Sequence, residues 1–201
     1  QTIGDLREEV ARPSAIPFDE SMPTDLMLER RIGDLLVNTP DFSLLVMGRS
    51  EGPGCYCLIN DILRHAIDRF SRRFSKVVID CEAGLEHLSR RTMRDVDTLI
   101  VVSDPTMRGI KTAGVIREIS DKLEISFGKI YLILNKADDE ERAFFEDKIK
   151  EVGVELIGVV PQDANVKAFD KIGKPLIYLP DDSPAVVAVR DIVERLGLVG
   201  G

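Results

Sequence analysis

A chain of 201 residues, 44% hydrophobic and 31% charged, is long enough to bury its own core and has an ordinary globular composition. Its formal net charge of −8 argues against wholesale nucleic-acid binding, and Asp68 and Asp80 interrupt the basic cluster of Arg69, Arg72, Arg73 and Lys76. No apolar run approaches the ~18 residues of a membrane span, and no signal-peptide pattern opens the chain, so the expected compartment is the cytoplasm.

The expected elements begin with a polar stretch over residues 1–41, interrupted by Pro13, Pro17, Pro23 and Pro40, with short helices at Ile3–Val10 and Leu26–Leu36. A sheet core, residues 42–201, opens with the apolar run Phe42–Met47, of strand length. The Gly- and Pro-rich loop Gly48–Gly54 follows. Cys55-Tyr56-Cys57 comes next, then a helix to about Phe70 with Leu58, Ile62, Leu63, Ala66 and Ile67 on one face. Lys76–Asp80 reads as a buried strand and Leu85–Met93 as a helix or turn. Beyond these, strands are expected at Thr98–Ser103, Lys129–Leu134 and Glu155–Val160, and helices at Ile110–Leu123, Glu140–Val152 and Asn165–Asp170. Leu176–Leu179 is a short apolar piece, and Pro184 opens a C-terminal helix, where proline suits the first turn. Apolar strands joined by helices predict a single α/β domain: a mostly parallel sheet with helices on both faces.

In such sheets ligands bind beyond the carboxyl ends of the strands, so the residues there are the candidates. Asp80 ends its expected strand as a Walker B acid does, to order Mg²⁺ through water, and Gly84 lets backbone come close to a γ-phosphate. A helix cap explains Asp80 equally well. Asn135-Lys136-Ala137-Asp138 follows the expected strand Lys129–Leu134; an Asn amide carries one acceptor and two donors and can read a purine edge, although Asn and Asp also favour helix starts. Pro161-Gln162-Asp163 then offers backbone to the other side of a base.

The three cysteines are Cys55, Cys57 and Cys81, an odd count with one tight pair, unlike a secreted disulfide framework. Cys55 and Cys57 follow a Gly-rich loop and precede a helix N-terminus, which favours thiolates. Two thiols fill half of a tetrahedral site, and a twofold dimer would supply the other half. The competing reading is two inert, partly buried cysteines. His65 and His87, the chain's two histidines, are read as surface or packing residues.

The phosphate cradle Gly-x-x-x-x-Gly-Lys-Ser/Thr does not occur: Gly128-Lys129 and Gly173-Lys174 lack the preceding glycine and the hydroxyl residue. The order of the remaining motifs resembles the CooC-type carbon monoxide dehydrogenase maturation branch of the MinD, ParA and nitrogenase-iron-protein ATPases. It is carried by Gly52-Pro53-Gly54-Cys55-Tyr56-Cys57, Asp80-Cys81-Glu82-Ala83-Gly84-Leu85-Glu86-His87, Val101-Val102-Ser103-Asp104-Pro105 and Asn135-Lys136.

The resemblance implies a P-loop NTPase-like fold of the deviant Walker A class, with the P-loop strand absent from these 201 residues between Lys76–Asp80 and Thr98–Ser103. It implies an ATP/ADP- and Mg²⁺-binding homodimer that serves carbon monoxide dehydrogenase and places its nickel; the net charge argues against nucleic acid as a partner, and Asp191 and Glu194, balancing Arg190 and Arg195 in the C-terminal helix, argue against membrane. Cys55 and Cys57 would hold Ni²⁺ or Zn²⁺ at the dimer interface. Asp80 and Gly84 would act at the phosphates, Asn135 and Lys136 at the base, and Pro161 and Asp163 would line the base pocket. Lacking the cradle, the chain by itself is expected not to hydrolyse ATP. A partitioning ATPase of the MinD/ParA kind, an iron–sulfur scaffold ATPase and a thiol metal-binding dimer without nucleotide are the alternatives.

Overall fold

Two separate apolar cores hold two units, Gln1–Cys81 and Glu82–Gly201. The computed structural model describes residues 1–11, 23–46, 48, 68–69, 71–81, 96–122 and 127–199.

In the first unit, helix α1 (Ile3–Ala11) starts on a reciprocal cap. The Asp5 N–H donates to Thr2 Oγ1 at 3.2 Å and the Thr2 N–H donates to Asp5 Oδ2 at 2.7 Å, so two orphan donors of the first turn are satisfied. These bonds hold the Asp5 carboxyl below its ordinary range. Helix α2 (Thr24–Asp34) buries Leu28 and Ile32, spaced one turn apart, against Ile3 and Leu6 of α1. Each fully buried Leu or Ile contributes about 1.5–3 kcal/mol. The nearly buried Glu29 carboxylate is neutralised by Arg73 and, at 3.8 Å, by Arg69.

Strands β1 (Val37–Asn38) and β2 (Ser43–Leu44) form a minimal antiparallel hairpin. Thr39-Pro40-Asp41-Phe42 turns it, with the Thr39 N–H donating to the Phe42 carbonyl at 2.8 Å and the Phe42 N–H to Thr39 Oγ1 at 3.0 Å. The strand expected over Phe42–Met47 is thus corrected to two paired residues, and Phe42, Leu44 and Val46 stand exposed. The strand expected at Lys76–Asp80 is also corrected: this stretch joins no ladder, and Val77, Val78 and Ile79 are exposed. An apolar run becomes a strand only where a second backbone pairs with it, and among the described residues none does so here.

The second unit holds a parallel sheet of β3 (Val96–Ser103), β4 (Phe127–Asn135) and β5 (Glu155–Val160), in that order. Val101 pairs with Leu132, and Ile133 with Gly158. Helices α3 (Met107–Lys122) and α4 (Asp139–Val152) cover one face. Their core joins Val101, Ile110, Ala113, Leu132, Leu134, Phe145 and Ile149. The two helices approach closely because Gly114 has no side chain to meet Val152, where a Cβ would lie 3.0 Å from the Val152 Cβ.

Successive strand residues point to opposite faces, so Ile133 and Gly158 look away from that core. On their side lies α6 (Pro184–Arg195), with the buried Ile192 against Gly158. Between β5 and α6 run α5 (Ala164–Lys171) and a 3₁₀ turn, Leu176–Tyr178. The expected α/β fold, with a parallel sheet flanked by helices on both faces, is therefore the observed one. No helix among the described residues is long and apolar enough to cross a membrane.

Candidate functional site

The three parallel strands end at Ser103, Asn135 and Val160, on the edge of the sheet where α/β ligand sites form. Asn135 lies opposite Val160 in the register, and beyond them the Ala137 N–H donates to the Val160 carbonyl at 3.2 Å. That bond ties the loop after β4 to the end of β5. It brings Asn135, Lys136 and Pro161 to one place.

Asn135 does not cap the following helix. That role belongs to Asp138, whose Oδ1 accepts from the Glu141 N–H at 2.8 Å while Glu141 Oε2 accepts from the Asp138 N–H at 3.0 Å. The Asn135 side chain is half-buried, and its carboxamide has no hydrogen-bond partner among the described residues. Leaving such a group unsatisfied costs about 1–3 kcal/mol if it is fully buried, and native structures seldom do so without a reason. Lys136 adopts φ +57°, a left-handed conformation that costs a residue with a Cβ about 1–2 kcal/mol. Its exposed ammonium makes no ion pair among the described residues. A strained backbone beside an amide that no described residue engages is an arrangement ligand sites retain.

Asp163 holds the far wall together. Its Oδ1 accepts from the Asn165 N–H at 2.7 Å and caps α5. Its Oδ2 accepts from the Ser183 hydroxyl and from the Ala185 N–H at 3.0 Å, which starts α6. The carboxylate is thus engaged in two helix starts, and what Asp163 offers a ligand is its backbone. A serine before Pro184 reads as a helix cap, but its bond to an acid twenty residues upstream has no signature in sequence.

The Ser183 hydroxyl, then the Ala185 N–H, hold the Asp163 carboxyl below its usual range. A carboxyl whose folded pKa is depressed stabilises the fold above its unfolded pKa of about 3.9, and that stability is lost as pH falls through the folded value. Asp163→Asn is therefore expected to lower the urea midpoint at pH 7 and to flatten its fall from pH 5 to pH 2. An acid limb as steep as the parent's would show that Asp163 does not carry it.

Asp80 lies in the first unit, exposed, at the end of the stretch that forms no strand. Beside it, Cys81 is a free, exposed thiol whose pKa is raised by local desolvation and by the Asp80 charge, so it is not poised as a thiolate. Cys55, Cys57 and Gly84 lie outside the described residues. Among the described residues no three His, Cys, Asp or Glu side chains gather to hold a metal ion.

No protein-family model matches the chain. It is 40% identical over 200 residues to the uncharacterized ATP-binding protein MJ0685 of Methanocaldococcus jannaschii, covering 98% of this chain and 78% of that one. It is 32% identical over 197 residues to the carbon monoxide dehydrogenase accessory protein CooC of Rhodospirillum rubrum, covering 90% and 72%. Its fold matches a solved ParA family ATPase from Chlorobium tepidum with a TM-score of 0.66 at 17% identity, over 98% of this chain and 75% of the other. With the parallel sheet, the motif order and these relatives in agreement, the chain belongs to the MinD/ParA-like family of ATP-binding proteins.

Proposed function

We propose that this protein is an ATP-dependent maturation factor for carbon monoxide dehydrogenase, a dimeric metallochaperone ATPase that delivers nickel. The observation that carries the nucleotide half is the unpaired, half-buried carboxamide of Asn135 at the end of β4. An Asn amide matches the adenine edge, donating to N7 and accepting from the N6 amine. Pro161, next to the paired end of β5, offers an apolar ring and a carbonyl beside that position, and Asp163 keeps the segment in place through its two caps. Lys136 would sit at the rim of the base site. ATP supplies its phosphoanhydride bond when bound. Asp80 is assigned to ordering Mg²⁺ and Gly84 to meeting the γ-phosphate. No Gly-x-x-x-x-Gly-Lys-Ser/Thr sequence occurs in the 201 residues, so no step at the phosphates is assigned to them.

The metal half rests on Cys55-x-Cys57 and on the likeness to the CooC accessory protein. Two thiolates from each protomer would complete a four-sulfur site, suited to Zn²⁺ and open to Ni²⁺ as cargo. The prediction is one metal per dimer. Metal content and native mass of the protein should both change when Cys55 and Cys57 become Ser, with loss of the metal and of metal-dependent dimer. Metal retained by the double variant, or bound by a strict monomer, would sink the assignment.

A membrane-bound partitioning role gains no support from α6. Its Arg195 pairs with Asp191 at 2.7 Å and its Arg190 with Asp181, so the helix carries no surplus positive charge toward anionic lipid.

A further inference from the structure

The loop after β5 carries one polar side chain that no duty of the fold takes up. Val160 gives its carbonyl to the Ala137 N–H at 3.2 Å, and Asp163 commits its carboxylate to the starts of α5 and α6. Gln162 lies between these two anchors, exposed, and its carboxamide has no hydrogen-bond partner among the described residues.

The register sets its place. Asn135 and Val160 are paired neighbours in the parallel ladder, so their side chains leave the same face of the sheet. The ring of Pro161 holds φ at about −65°, and Asp163 is extended at φ −128° and ψ 121°. The chain therefore runs on past Val160, and Gln162, two residues further, returns to the face of Asn135. With strands ~4.8 Å apart and a rise of ~3.3 Å per residue, the Cα atoms of Asn135 and Gln162 stand about 8 Å apart, so the two carboxamides can reach opposite edges of one purine.

Two neutral carboxamides choose between purines. Adenine carries the N7 and N1 acceptors on either side of a 6-amino group with two hydrogens. An amide on each side donates to the ring nitrogen and accepts one of those hydrogens, which satisfies all four groups. Guanine presents two acceptors, N7 and O6, on the edge that Asn135 meets, and leaves the amide oxygen there without a hydrogen to accept. Its N1–H and 2-amino group call for a carboxylate. The acid that follows Asn135 in the chain, Asp138, is held at the start of α4, where its Oδ1 accepts from the Glu141 N–H at 2.8 Å.

We propose that Gln162 is a second base-reading side chain, which binds N1 and one hydrogen of the 6-amino group of an adenine nucleotide while Asn135 binds N7 and the other. The site then requires that amino group unsubstituted. This rests on the reading of Asn135 given above and adds a specificity-determining side chain to it.

The test compares ATP, N6-methyl-ATP and inorganic triphosphate by calorimetric titration into the parent, Gln162→Ala and Asn135→Ala. In N6-methyladenine the methyl lies toward N1 in the favoured conformer, and so against Gln162. The parent should bind ATP about tenfold or more tighter than N6-methyl-ATP. Gln162→Ala should weaken ATP about tenfold and bring the two nucleotides close to equal, because the amide is gone and its space is open to the methyl. Asn135→Ala should weaken both nucleotides alike and keep their ratio. Gln162 is exposed, so its loss should leave the melting temperature unchanged. A ratio that Gln162→Ala leaves as it was, or equal binding of ATP and N6-methyl-ATP by the parent, would overturn the role of Gln162 and leave that of Asn135 standing. A loss in Asn135→Ala that is the same for ATP and triphosphate would overturn both.

Discussion

Asn135→Ala is expected to weaken ATP binding by about 5- to 150-fold, or about 1–3 kcal/mol, and to leave binding of inorganic triphosphate nearly unchanged. The size follows from what each state satisfies. In the free protein the carboxamide has no partner among the described residues, and the loop that carries it is held to β5 by the Ala137 to Val160 bond, so little has to move when a base arrives. In the complex the amide would gain a donor and an acceptor together, and alanine would leave the corresponding base groups unpaired in a half-buried place. The helix that follows should not suffer, because Asp138 and Glu141 cap it without Asn135. Calorimetric titration of both ligands into both proteins decides the point. Equal loss for ATP and triphosphate, or a matching loss of thermal stability, would reduce Asn135 to a structural residue.

Much of the second unit is legible in the amino-acid order. Val96–Ser103, Phe127–Asn135 and Glu155–Val160 are apolar runs, and each lies within two residues of its expected bounds. Local chemistry fixes the helix ends: Asp138 with Glu141 starts α4, a left-handed Gly153 ends it, and Pro184 opens α6. Phe42–Met47 and Lys76–Asp80 depart from the expected strands for one reason. An apolar run states that side chains favour burial, whereas a strand also needs a second backbone at the right distance, and that partner is not written in the run itself. At the site, Asn135 could be found from its place after a strand. The structural duty of Asp163 could not, because its partners Ser183 and Ala185 lie twenty and twenty-two residues away and meet it only when α6 folds back onto β5.

That folding back is the basis of the second large effect. A Cβ at Gly158 would lie 2.4 Å from Ile192 Cγ1 and 2.6 Å from Cδ1, well inside contact distance, so only glycine lets α6 seat on β5 here. Gly158→Val adds two methyls beyond that Cβ and is expected to cost about 2–3 kcal/mol by overpacking. The helix must then shift or Ile192 must leave its rotamer. A shifted α6 would also loosen the Asp163 cap and the Arg195 guanidinium, which donates to the Ile157 carbonyl at 3.2 Å. Ile192→Ala alone should cost about 2–5 kcal/mol through its cavity. In the double variant the valine can occupy the space that the isoleucine vacates. The combined cost should therefore fall short of the sum by at least about 1 kcal/mol, within the coupling seen between touching residues. Gly173→Ala supplies the contrast. Gly173 has φ +65° but no atom within 4 Å of its would-be Cβ, so its cost comes from backbone strain and should add to that of Ile192→Ala without coupling. Urea unfolding of the parent, the three single variants and the two double variants with Ile192→Ala measures all of these terms. Strict additivity at Gly158 and Ile192 would mean that α6 does not pack on β5 at this point, and the support assigned to the base-reading end of the sheet would fail with it.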